Sequence, residues 1–433
     1  MLIGLTAPPI ATRTFSLRAL DWLNFFVADM QASVGPFLAV YLAAQGWNEL
    51  HVGIALTIIG VAAIASQTPA GALVDRTRSK RGLVAAATVL TALSALAIAF
   101  RPQPAVIYGA AVVMGVAGAV LGTAIYGITM GLSAPGAFGA RQGRNQSFNA
   151  AGNIFASVAV GLAAYTIDNQ TALLAGAAFA LPALAALAAL SPHDIDHERA
   201  RGAPRVATAS ATASVTTPPL TLRMVFARRP VLIFIACAVL FHFANGSMLP
   251  LVAQKLARSQ GAGAMAFMAA CIITTQCVVA ASSGWIGRAA ARGRKPLLLV
   301  GFAVLPLRGL LYTFTDNATQ LVGIQILDGI SLAVFSVISI LVIADFTAGS
   351  GRFNYMLGAI NTAVGIGAAA SQVAGGEIVH LTSFRTGMIF LSGIALVAFI
   401  LLAWLMPETV DRRSGSSRRA TRDAQDATAI ASE

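Results

Sequence analysis

"GALVDRTRSKR", residues 71–81, crowds Asp75, Arg76, Arg78, Lys80 and Arg81 together in a chain that is 57% hydrophobic and only 11% charged. The burst lies between two apolar runs, 52–73 and 83–100, each close to the ~20 residues a helix needs to cross the hydrocarbon core of a bilayer. It therefore reads as a loop at a membrane surface, where water and headgroups accept charge that the interior rejects. Runs of the same kind continue in both directions: 20–42, 105–131, 146–166, 172–190, 231–251, 264–286, 296–314, 319–344, 355–376 and 387–406, twelve in all. They lack period-two alternation and are too long for barrel strands. With a mean hydropathy of +0.76 over 433 residues, the predicted fold class is an all-α membrane protein of twelve transmembrane helices. The first run is too long for a signal-peptide core and contains Asp29, so it reads as a retained first helix.

Lys and Arg set the orientation. Of the 29, 24 fall in the N-terminal tail, the even-numbered loops, the central linker and the C-terminal tail; only Arg101, Lys255, Arg258 and Arg385 fall in odd-numbered loops, and Arg308 lies within a span. By the positive-inside rule both termini and the linker are cytoplasmic, and the predicted location is a bacterial inner membrane. A net charge of +12 would suit nucleic acid only if the basic groups shared a soluble face; here they punctuate apolar runs, so no nucleic-acid partner is expected. "SPHDIDHERARGAPRVATASATASVTTPP" (191–219) is polar and lacks aromatics, as a flexible linker would. The predicted domains are a six-helix bundle over 1–190, a cytoplasmic linker over 191–229, a second bundle over 230–410 and a disordered tail over 411–433, whose arginines suit anionic lipid. Cys237, Cys271 and Cys277 lie in apolar runs without metal or redox spacing and read as small hydrophobes.

The two halves repeat. "FFVAD" (25–29) matches "FHFAN" (241–245), Gly71 matches Gly284, Gly115 matches Gly329, and "GRNQSFNAAGN" (143–153) answers "GRFNYMLGAIN" (351–361), all at an offset of 208–216. Six spans per repeat give both halves the same orientation, an architecture of secondary transporters. With this repeat in view, "GALVDRTRSKR" resembles the G-x-L-x-D-R-x-G-R-R/K signature of the major facilitator superfamily, and "GWIGRAAARGRK" (284–295) resembles its degenerate counterpart between spans eight and nine. The resemblance covers essentially the whole chain. It implies two pseudo-symmetric six-helix bundles, no cofactor, and a conformational gate formed by Gly71, Asp75, Arg76, Lys80 and Arg81 with Gly284 and Arg294. Gly71 permits close helix approach, and Asp75 can face the positive end of a neighbouring helix. Arg78 stands where the pattern has Gly. The arginine in span four and the G-x-x-x-G-P pattern in span five of many proton-coupled drug antiporters of that family are missing.

Ionisable side chains inside a membrane require an explanation. Asp29 lies about nine residues into the first span, roughly 14 Å deep, near the midplane where such transporters bind their solutes. It is expected to couple protons or touch substrate from the cavity wall, with Gln31 beside it; a carboxylate held by helix-to-helix hydrogen bonds, for instance with Asn24 or Asn153, is the alternative. His242 and Asn245, the latter the repeat partner of Asp29, sit at comparable depth in span seven, and His242 can change charge near neutral pH. A metal site from Asp29 and His242 has too few ligands, so no metal is expected. Arg308 in span nine and Asp328 in span ten fall at matching depths and form an ion pair or bind substrate. Asn145, Asn149 and Asn153 make one polar stripe on span five, with Asn153 a candidate substrate contact; Arg144 and Arg352 are expected to anchor to lipid headgroups.

These features predict a monomeric secondary active transporter that moves a small organic solute by alternating access, coupled to protons, with general resemblance pointing to export. Proton-linked uptake of a small solute, anionic if Arg308 faces the cavity, is the alternative, followed by metal or metal-chelate transport. No P-loop pattern is present to argue for ATP, and no nucleophile or metal spacing argues for an enzyme.

Overall fold

A computed structural model of the chain describes residues 10–32, 38, 41–42, 44–167, 169–203, 226–260 and 264–409. The helices are α1 (Ile10–Ala32), α2 (Glu49–Arg76), α3 (Lys80–Phe100), α4 (Pro104–Leu132), α5 (Phe138–Thr166), α6 (Asn169–Ala178), α7 (Ala180–Ala188), α8 (His197–Ala200), α9 (Arg229–Gly246), α10 (Met248–Gln260), α11 (Ala264–Ala289), α12 (Lys295–Leu311), α13 (Ala318–Thr347), α14 (Phe353–Leu381) and α15 (Phe384–Leu405). Among the described residues, eight helical stretches are long and apolar enough to cross a membrane on composition alone. The other four spans are the more polar α1 and α5, the short α12, and the interrupted α6–α7.

Two spans are broken, both for the same reason. A proline inside a helix has no N–H to donate to the carbonyl four residues back and crowds that carbonyl with its ring. Pro182 stands four residues after Ala178, where α6 ends, and Pro250 stands four residues after Gly246, where α9 ends. The Gly246 carbonyl freed in this way accepts a hydrogen bond of 2.6 Å from Gln372 Nε2 of α14. Ser247, at the break, is held through its N–H and hydroxyl by Ser371 Oγ at 3.1 and 2.9 Å.

The first bundle is built on contacts of α2 and α3 with α4, of α1 with α5 and α7, and of α3 with α6; the second on contacts of α9 with α14 and α15, of α12 with α13 and α15, and of α11 with α13. The bundles meet along two seams, α2 against α14 and α5 against α11, which the internal repeat exchanges with each other. Both seams are tightest at the end of the molecule that carries the linker. A Cβ on Gly71 would land on the Asn354 backbone of α14. The second seam places Gly287 of α11 against the backbone of Gly139 and Gly143. Gly284, the sequence counterpart of Gly71, is not the contact residue: a Cβ there would meet only the side chains of Arg288 and Ser147 at 3.8 Å. The one-turn difference corrects the role expected for it. Among the described residues α1 shares no packed interface with α9 or α10.

The start of the segment expected to be a flexible linker is folded. Asp196 caps α8 by accepting from Arg199 N–H at 2.9 Å, its own N–H donates to Gly131 of α4 at 3.2 Å, and the Gly202 carbonyl accepts from Gly349 and Gly351 of the other bundle at 2.8 and 3.3 Å. The short polar side chains that suggested disorder are the ones that make caps and turns. The rest of that segment and the C-terminal tail lie outside the described residues.

Replacing Gly71 with leucine should overpack the α2–α14 seam, a fault that typically costs about 1–3 kcal/mol, and so favour the state in which this end is parted. With the exposed Cys277 changed to alanine and spin labels at positions 78 and 348, the label separation should lengthen relative to the parent protein.

Candidate functional site: an amide-lined cavity in the first bundle

A cavity of about 240 Å³ lies against α1, α4 and α5, lined by Asn24, Val27, Gln31, Gly122, Ile125, Tyr126, Gln142, Asn145, Gln146 and Asn149. Helical spacing explains the set. Asn24, Val27 and Gln31 fall at i, i+3 and i+7 of α1, and Gln142, Asn145, Gln146 and Asn149 repeat every three to four residues on α5, so each group shares one face. Gln31 is exposed, whereas Asn24, Gln142 and Asn145 are buried. Asn153, the next residue of the stripe, lies outside the lining and donates to Asn149 Oδ1 at 3.3 Å.

Asp29 is not on the cavity wall. At 100° per residue its side chain leaves α1 about half a turn away from the Asn24–Val27–Gln31 face, and it is 0% exposed. Its nearest backbone partner is Ala156 of α5. The polar partners suggested for it are engaged elsewhere, Asn24 with the Leu20 carbonyl at 2.8 Å and Asn153 with Asn149. Membrane depth is legible in a sequence, but rotation about the helix axis is weakly marked where every face is apolar.

A charge network supports the cavity floor. Buried Asp21 of α1 forms an ion pair with Arg141 of α5, and the Arg144 guanidinium closes on the same carboxylate at 2.8 Å. Arg141 Nη1 also donates to the Leu17 carbonyl at 3.0 Å and its Nε to Asn145 Oδ1 at 2.7 Å. Asn145 in turn donates to Thr129 Oγ1 of α4 at 2.8 Å. Three helices are thus tied through one amide, whose orientation toward the cavity is fixed. Asp21 and Arg141 were missed because one opens the first apolar run and the other precedes the fifth, where charges read as topological markers. Arg144, expected at the headgroups, spends its charge on Asp21.

In the second bundle Arg308 of α12, 1% exposed, forms an ion pair with Asp328 of α13. Arg308 Nη2 donates to Asn245 Oδ1 of α9 at 2.7 Å and meets Met248 Sδ at 3.1 Å. Thr275 of α11 donates to Asp328 Oδ2 at 3.2 Å. The pair expected from depth alone is present, and Asn245 belongs to it. His242 is half-buried, with Nδ1 3.1 Å from the Ala238 carbonyl and its ring edge-on to Phe335 at 4.4 Å; it joins neither the pair nor Asp29. Among the described residues no group of three or more His, Cys, Asp or Glu converges as a metal site.

At the linker end, Asp75 Oδ1 accepts from Asn354 N–H at 3.2 Å and from its Nδ2 at 2.8 Å, and Oδ2 accepts from Tyr355 N–H at 2.8 Å. The carboxylate of one bundle therefore caps the first turn of a helix in the other, where the helix dipole favours negative charge. Arg76 is exposed beside it. The remaining signature residues act within their own bundles: Lys80 Nζ donates to the Thr77 carbonyl at 2.9 Å, Arg81 caps α7 through the Leu187 carbonyl at 3.1 Å, and Arg294 binds Asp345 with its Nη2 at 2.8 Å. At the far end Lys255 pairs with Asp316 at 2.6 Å, and the hydrogen bond and charge of that ammonium hold the Asp316 carboxyl below its ordinary value.

Residues 21–305 and 237–430 match the Major Facilitator Superfamily. The chain belongs to that family. It is 41% identical over 399 residues to uncharacterized MFS-type transporters from two strains of Mycobacterium tuberculosis, an alignment that covers 91% of this chain and 94% of theirs. Among solved structures, the E. coli fucose:proton symporter in its outward conformation superposes with a TM-score of 0.67 at 13% identity, covering 91% of this chain and 99% of that one. The human organic anion transporter MFSD10 gives 0.65 at 16%, covering 92% and 100%. These likenesses establish the fold of a major facilitator transporter with two six-helix bundles.

Removing one member of a buried ion pair strands the other and typically costs about 3–5 kcal/mol, whereas a matched apolar replacement of both is near neutral. Arg308→Met and Asp328→Leu should each lower the melting temperature of the detergent-purified transporter, and the double variant should recover most of the loss.

Proposed function

We propose that this transporter is a secondary active carrier that moves a small organic solute by rocking its two bundles, and that the state described is the outward-facing one. The observation that carries the reading is the Asp75 cap on α14: the two bundles are locked at the linker end by contacts that exist only while they are closed there, and the amide-lined cavity lies above that lock. The excess of Lys and Arg at this end makes it the cytoplasmic side, with both termini inside the plasma membrane. Protons are the proposed energy source. Asp328 is the proposed coupling carboxylate, since adding a proton to it would release Arg308 and, through Asn245, alter α9 just before its break. His242, wedged against Phe335, and Asp29, enclosed within one bundle, fit that role less well.

Single cysteines test the sidedness without a known solute. In a Cys277→Ala background, Gln31→Cys should react with a membrane-impermeant maleimide from outside the cell. Locking the inner gate with Thr68→Cys and Thr362→Cys, whose native hydroxyls lie 3.0 Å apart, should raise that reactivity. Labelling from the cytoplasmic side alone would refute the assignment. The reactivity should depend on pH in the parent protein and lose that dependence in Asp328→Asn.

A further inference from the structure

The cavity assigned above as the transport site also constrains what can occupy it, and the following inference rests on that assignment. Among the described residues the cavity wall contains no ionised side chain. The cations of α5 beside it are already committed: Arg141 to Asp21 and Asn145, and Arg144 to Asp21. An ion entering this site would leave water without meeting an opposite charge, and only such a partner offsets the loss of hydration.

What the wall does offer is a set of carboxamides, each with both a donor and an acceptor. Gln31 and Gln146 carry no side-chain hydrogen bond to protein among the described residues. Asn149 accepts from Asn153, which leaves its own NH₂ available to donate. Tyr126 adds a ring and a phenol. The volume of about 240 Å³ falls below the roughly 300–1,000 Å³ of sites that take drug-sized molecules. We infer that the transported solute is small and uncharged and carries several hydroxyl or amide groups, in the manner of a sugar, a polyol or a nucleoside.

Equilibrium binding tests the class independently of transport. The full-length protein in detergent would be screened by thermal stability and calorimetry against a neutral panel (a hexose, a pentitol, uridine, glycinamide) and a charged panel (lactate, citrate, tetraphenylphosphonium, spermidine). A member of the neutral panel should bind, with an affinity indifferent to salt. Gln146→Leu should weaken it about three- to tenfold, the worth of a neutral hydrogen bond, without changing the melting temperature of the unliganded protein. Should that variant fold poorly, Gln146→Glu serves instead: a carboxylate in the wall should confer spermidine binding that the parent lacks. Binding of a charged probe to the parent with salt-sensitive affinity, or of no neutral compound, overturns the inference. Neutral binding in a protein whose Gln31→Cys labels only from the cytoplasmic side would overturn the outward-facing carrier reading and leave this one standing; correct sidedness with charged ligands alone would do the reverse.

Discussion

A charge inside a bilayer cannot be rescued by water, and the layout of this transporter follows from where it sends its charges. Among the described residues two buried ion-pair systems, one per bundle, join helices whose apolar surfaces alone would not fix their rotation. Asp21 with Arg141 and Arg144 pins α1 to α5; Arg308 with Asp328 and Asn245 pins α12 to α13 and α9. Both consume the charge they carry. The cavity against α1, α4 and α5 is thereby left polar but neutral among the described residues, and Asp75, at the bundle junction, is spent on the backbone of the opposite bundle.

That last interaction differs in kind from the others. The ion pairs lie within bundles and persist through any rigid-body movement, whereas the Asp75 cap and the glycine contact beside it straddle the bundles and must be surrendered when they part. The contacts that must break when the bundles part are therefore distinct from those that hold each bundle together. A neutral donor set on a helix terminus is also well suited to a contact that opens and closes, since releasing it uncovers a single carboxylate next to water rather than two buried ions.

The spans, the repeat, the sidedness of the basic residues and the signature loop were all legible in the sequence, because hydrophobic length and charge placement are one-dimensional properties. The Arg308–Asp328 pair was legible too, since consecutive antiparallel helices convert sequence position directly into depth. What escaped was rotation and register. Asp29 has the depth of a cavity residue but the wrong azimuth, and Gly284 has the repeat position of a contact residue while Gly287, one turn on, makes the contact. Asp21 and Arg141 lie 120 residues apart, and only the packing of α1 on α5 brings them together. The start of the linker misled in the opposite sense: the caps and turns of residues 191–203 fold back on the bundles at a place where composition suggested a free strand of chain.

The proline break in the seventh span has a mechanical meaning. An unbroken helix can bend only by stretching hydrogen bonds that it would rather keep, which makes it stiff. At Gly246 that bond is already absent, and the freed carbonyl is held by a side chain, Gln372, that can follow a moving partner or let go of it. The outer segment, α10, can therefore tilt relative to α9, whose Asn245 holds Arg308. The span works as a lever with its fulcrum at membrane mid-depth, softened at one joint and rigid on either side.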